Sequence, residues 1–139
     1  MSHDGRRSQK EPIPSKLGEG HWAAAREGRL ALQRCNACSR HFHYPSAICE
    51  HCLSRDIGWA DVSGLGTVES FSVVHRAFSP DFADDVPYVV ALVKLDEDVN
   101  LLTWVVGTAP EDVRIGMRVE ATFERVSDEI WLHRFRSAA

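Results

Sequence analysis

All four cysteines of this 139-residue chain lie in one run, CNACSRHFHYPSAICEHC, residues 35–52. They form two C-x-x-C pairs with ten residues between them. Two residues between cysteines let both thiolates of a turn face one cation while backbone N–H groups aim at the sulfurs. Two such knuckles complete a tetrahedral four-sulfur site. Cys35, Cys38, Cys49 and Cys52 are therefore the candidate metal ligands. Four unrelated buried cysteines would not fall into two such pairs. A cation held by four thiolates has no open position, so the site is expected to be structural and not catalytic. It would staple a segment too small to fold by itself.

Zinc is the expected metal, and iron in the same four-thiolate cage is its rival. Iron-type knuckles usually follow the second cysteine with glycine, whereas here Ser39 and Leu53 follow. His41, His43 and His51 lie close by. Because four thiolates already satisfy a metal, these are read as surface histidines. Enzyme signatures are missing. There is no G-x-S-x-G elbow, H-E-x-x-H, P-loop, G-x-G-x-x-G or H-x-E…P-C-x-x-C. GLG at 64–66 reads as a turn. His75 could serve as a general base, but an unpaired strand histidine is more often structural or a binding contact. No catalytic residue is assigned.

The elements that must position these groups follow from pattern. Residues 1–18 are polar, with Pro12, Pro14 and Gly18, and read as a disordered or extended arm. GEGHWAAAREG predicts a short helix at about 20–27, anchored by Trp22 and capped by Gly28. In RLALQR, Leu30 and Leu32 alternate with Arg29, Ala31 and Gln33, which predicts a strand running into the first cysteine pair. Gly64 and Gly66 then mark the change to a strand-rich half. Strands are expected at about 66–76, 88–95, 99–106, 118–126 and 129–135. PEDVRIG is long enough for one helical turn. In VEATFER, Val119, Ala121 and Phe123 face one way and Glu120, Thr122 and Glu124 the other. Five short strands in so little chain predict a small closed barrel. Trp59 and Phe71 are expected in the core, while Phe78, Phe82 and Tyr88 could pack or stack on a ligand.

Charge divides the chain. Residues 1–60 carry nine Lys/Arg and six Asp/Glu, hence +3; residues 61–139 carry seven and fourteen, hence −7. The second half is a poor match for a polyanion, which counts against a nucleic-acid-binding module. The longest apolar runs, YVVALV and LLTWVV, are far too short for a spanning helix. The N-terminus has no apolar signal-peptide core, so the expected compartment is the cytoplasm, where paired C-x-x-C motifs read as metal sites.

Several segments together resemble one family. EGRLALQRCNACSRHFHYPSAICEHCLSRDIGWADVSGLGTVESFSVVH, then PYVVALVKLDEDVNLLTWVVG and PEDVRIGMRVEATFE, are similar in order to the domain of unknown function 35 family, over about residues 20–126. The resemblance implies a mainly β fold: an N-terminal short helix, a rubredoxin-like zinc ribbon and a C-terminal five-stranded OB-fold barrel. The corresponding division is an arm at 1–18, helix and ribbon at 19–60, and barrel at 61–139. It implies a zinc site intact at all four cysteines. It also implies a non-catalytic subunit that binds a thiolase-fold enzyme, a thiolase or thiolase-like aldolase of lipid or steroid degradation, and helps bind or channel acyl-CoA. The rivals are a nucleic-acid-binding module and a rubredoxin-like electron carrier.

Positive charge lies in the helix–ribbon half, at Arg26, Arg29, Arg34, Arg40 and Arg55. CoA phosphates are therefore expected on the ribbon side or the partner. The pantetheine and acyl chain are expected at a ribbon–barrel seam, with Tyr44, Pro45, His75, Arg76 and Phe78 as candidate contacts.

Overall fold

The first helix is short because its sequence allows only two turns. In α1 (Glu19–Arg26), alanines supply helix propensity, Gly18 precedes without a side-chain cap, and Gly28 follows at φ 75°. The structure, a computed structural model, describes residues 10–138. The first nine residues of the expected arm lie outside the described residues. Within its remainder, Lys10 pairs with Asp85 across 2.8 Å.

β1 (Ala31–Cys35) sits between β2 (His41–Phe42) and β3 (Ile57–Asp61), antiparallel to both. β3 was not anticipated as a strand. Its own residues are mostly half-exposed, and its conformation is set by five-residue pairing with β1, from Ala31↔Asp61 to Cys35↔Ile57.

The expected five barrel strands are present: β4 (Leu65–Val74), β5 (Tyr88–Leu95), β6 (Asn100–Val105), β7 (Arg118–Arg125) and β8 (Trp131–Ser137). They close in the order β4-β5-β6-β8-β7, with a bulge between Val68 and Ser70 and a parallel contact at Val105↔Phe135. The helical turn expected in PEDVRIG is a 3₁₀ turn at Pro110–Asp112. Gly66 is required by close approach. A Cβ there would stand 2.7 Å from the Lys94 carbonyl oxygen and from a Val93 methyl.

Two apolar clusters result. A small one holds Cys35, Phe42 and Cys49 inside the ribbon. The large one fills the barrel with Val68, Val93, Leu101, Val119 and Phe135, and it also takes in Leu30 and Leu32. The alternation read in RLALQR is thus correct on its Leu face. The opposite face is buried as well, at Ala31 and Gln33. Helix α1 packs on β1 and β8, so β1 is sandwiched between helix and barrel.

Two expectations about tryptophan are corrected. Trp22 is only half-buried; the helix is anchored by His21, Ala24 and Ala25. Trp59 is 38% exposed and lies under the helix, not in the core. The space above its ring is what Gly20 serves: a Cβ there would meet the indole at 2.3 Å. Phe71 packs partly buried against the barrel core.

Candidate metal centre and the junction beside it

The four cysteines come together. Their sulfurs all lie within 4.8 Å of one another, with Cys35–Cys52 at 3.5 Å and Cys38–Cys49 at 3.7 Å. Four sulfurs about 2.3 Å from a tetrahedral ion stand about 3.8 Å apart, so the cage is of the size such an ion needs. The backbone N–H of Cys38 above all, helped by that of Ala37 and opposed by desolvation, draws the Cys35 thiol down to about 6. A thiol so placed gives up its proton to a cation readily. The His51 N–H points at the Cys49 sulfur across 3.3 Å.

Each knuckle closes in the same way. Ser39 N–H bonds back to the Cys35 carbonyl and Leu53 N–H to the Cys49 carbonyl, at 2.8 and 3.0 Å. Both closing residues take left-handed backbone, φ 66° and 65°. The glycine usual after the second cysteine of iron-type knuckles is absent here, yet the conformation that favours glycine is kept.

His43 is not the surface histidine expected. It faces His21 from α1 and His133 from β8, with ring centroids 6.4 and 6.5 Å away; His21 and His133 are 5.7 Å apart. Helix, ribbon and barrel therefore meet on three imidazoles. Burial disfavours the charged form of all three. It lowers His21, pushes His43 to about 4 and pushes His133 to about 3, with the neighbouring imidazoles adding to the last two shifts. His133 Nδ1 lies 2.9 Å from the Thr103 hydroxyl. No local motif marks this cluster. The three residues are far apart in sequence, and only the docking of α1 and ribbon on β8 collects them.

The predicted seam divides. Tyr44 is 67% exposed and leans on His43 at 4.4 Å, and Pro45 lies near Gly18. His75, Arg76 and Phe78 follow the end of β4 and line a surface hollow with Val74 and Ala77. Phe78 is 91% exposed. The cleft where ribbon meets barrel holds about 300 Å³ and is lined by other residues, among them His41, His51, Lys94, Asp98 and Asn100. Of the expected basic groups, Arg29 is engaged by Glu27 and Asp61, and Arg26 donates to the Glu129 carbonyl.

Fold and site together define a zinc-ribbon protein with a closed OB-fold barrel and a four-cysteine metal cage. Residues 22–58 match the family described as ChsH2, rubredoxin-like zinc ribbon domain. Residues 59–124 match ChsH2, C-terminal OB-fold domain. The chain belongs to the DUF35 family, the domain of unknown function 35. It is 37% identical to a DUF35 domain-containing scaffold protein of Methanocaldococcus jannaschii, covering 69% of this chain and 68% of that one.

It is 42% identical over 115 residues to a probable enoyl-CoA hydratase alpha subunit of Thermomonospora curvata. It is 37% identical over 113 residues to the 3-oxo-4,17-pregnadiene-20-carboxyl-CoA hydratase alpha subunit of Mycobacterium tuberculosis. These matches cover 83% and 81% of this chain but only 35% of either hydratase subunit. Among solved structures, a chain of the Ltp2-ChsH2(DUF35) aldolase superposes with TM-score 0.83 at 38% identity, covering 93% of this chain and 100% of that one. Among the described residues no helix is long and apolar enough to cross a membrane.

Proposed function

We propose that this protein is a non-catalytic subunit of an acyl-CoA-processing complex. It docks on a thiolase-fold enzyme, a thiolase or thiolase-like aldolase, and helps bind or channel the CoA thioester. The observation that carries this reading is the likeness, over 93% of this chain, to a chain of the Ltp2-ChsH2(DUF35) aldolase. The scaffold name borne by the Methanocaldococcus relative supports the same role.

In this reading Cys35, Cys38, Cys49 and Cys52 hold one zinc ion, which supplies structure only. Residues 19–60 and 61–139 act as ribbon and barrel units of one subunit. The predicted contacts Tyr44, Pro45, His75, Arg76 and Phe78 are exposed or half-exposed and so available to a partner or ligand. The compartment is cytoplasmic, and the pathway is lipid or steroid breakdown.

The test is co-expression with a thiolase-like protein encoded beside it. The two are expected to co-purify as a hetero-oligomer, with the partner's solubility or activity raised. A partner that is soluble and fully active alone sinks the proposal. Metal analysis of the same preparation is expected to give about one zinc per chain and no colour; a red protein would favour iron and electron transfer.

A further inference from the structure

Three imidazoles meet where helix, ribbon and barrel touch, and their hydrogen bonds leave ring nitrogens unmet. The Thr103 hydroxyl donates its one proton to the His133 carbonyl across 3.2 Å. His133 Nδ1, 2.9 Å from the same hydroxyl oxygen, is therefore the donor in that contact. This sets the tautomer and leaves His133 Nε2 with a lone pair. In His21 one ring N–H bonds the Ala31 carbonyl, while Nδ1 is buried with no partner among the described residues. His21 is only 8% exposed, so bulk water does not serve that lone pair. The half-buried His43 ring has only ring contacts among the described residues, to Tyr44, His21 and His133.

A single water has two protons to offer, whereas a divalent transition-metal ion accepts three imidazole lone pairs at once. The bonds already made are of the kind metal-bound histidines use. One ring nitrogen gives its N–H to a fixed oxygen, and the other is left to face the ion. Burial disfavours the charged form of all three rings, so their lone pairs stay available near neutral pH. Arg134, the cation next in the chain to His133, is held by Glu124 across 2.9 Å. The fit is looser than at the cysteines. A tetrahedral ion would hold imidazole centres about 5.2 Å apart. Here they stand 5.7, 6.4 and 6.5 Å apart, so the rings must draw in. The four sulfurs already lie within 4.8 Å of one another, and that cage is expected to fill first.

We propose that His21, His43 and His133 form a second, weaker site for a zinc-like divalent ion, which clamps helix and ribbon to the barrel and keeps a fourth coordination position open.

The experiment is equilibrium dialysis of the full chain, its cysteine cage loaded with zinc, against cobalt(II), followed by metal analysis and absorption spectroscopy. One cobalt per chain is expected beside the retained zinc. It should show visible bands without the intense near-ultraviolet sulfur-to-cobalt band that exchange into the cage would give. Cobalt is also expected to raise the thermal unfolding midpoint. His43→Gln and His133→Gln are each expected to weaken cobalt binding at least tenfold and to cancel that rise. Thr103→Val removes the hydroxyl that orients His133, keeps the core filled, and is expected to weaken binding about tenfold. The exposed His75→Gln is the control and should bind as the parent does. A parent chain that keeps its zinc and takes up no cobalt overturns the proposal, and this measurement needs no variant. So does cobalt bound equally by the parent and by either glutamine variant that still retains its cage zinc, since the ion then sits elsewhere. A sulfur-to-cobalt band with matching loss of zinc overturns it too.

Discussion

Two single positions carry consequences out of proportion to their size. Leu53 holds φ 65° with its side chain 75% exposed, so its left-handed backbone is not repaid by packing. A left-handed conformation costs a non-glycine residue about 1–2 kcal/mol, and glycine's extra unfolded-chain freedom takes back about 0.5–1. Leu53→Gly is expected to stabilise the zinc-loaded chain by about 0.5 kcal/mol in denaturant unfolding; a net loss would mean that Leu53 packs usefully after all.

The second case is the histidine junction. His43 and His133 have folded values of about 4 and about 3, depressed from 6.5. A depressed value means that the unfolded chain takes up protons first. The stability from these neutral rings is complete above about pH 6.5 and is lost as pH falls through the window down to 4 and 3. Each ring can contribute up to about 1.4 kcal/mol per pH unit within that window. His43→Phe is expected to flatten the fall in unfolding midpoint between pH 6.5 and 5, which a parallel pH series measures. An unchanged slope would assign the acid loss to the thiolates.

At the scale of elements, β1 is the part that joins everything. It ends in Cys35, pairs with both ribbon strands, and sends Leu32 into the barrel cluster, as does Leu30 just before it. Leu32, 1% exposed, is expected to cost about 2–5 kcal/mol when cut to alanine. Because β1 serves both clusters, ribbon and barrel should unfold together in that variant; separate transitions by tryptophan fluorescence and by zinc release would show that they are not coupled. Helix α1 depends on one close approach. Gly20→Ala drives a methyl into the Trp59 indole and is expected to cost about 1–3 kcal/mol in thermal or denaturant unfolding. An unchanged midpoint would show that the helix can lift off the ribbon at little cost.

For the whole molecule, the proposed metal and the proposed docking are expected to depend on each other. Chelating the metal is expected to release the ribbon, raise hydrogen exchange first at Ser39, His51 and Leu53, and abolish partner docking; a metal-free chain that still docks would separate ribbon from interface. The four-cysteine cage, the strands of the barrel and their order in the chain were legible in the sequence. They rest on local spacing and on period-two alternation, which neighbouring residues express without help.

What the tertiary structure alone decided involves residues distant in the chain. β3 is a strand because β1 pairs with it, and one face of Trp59 is covered because Gly20 lets a helix sit above it. His21, His43 and His133 become one cluster, and Tyr88, Trp104 and Arg134 one stacked row, only when strands and helix are brought side by side. Spacing along the chain carries no record of such meetings, because they are set by which surfaces exclude water from one another.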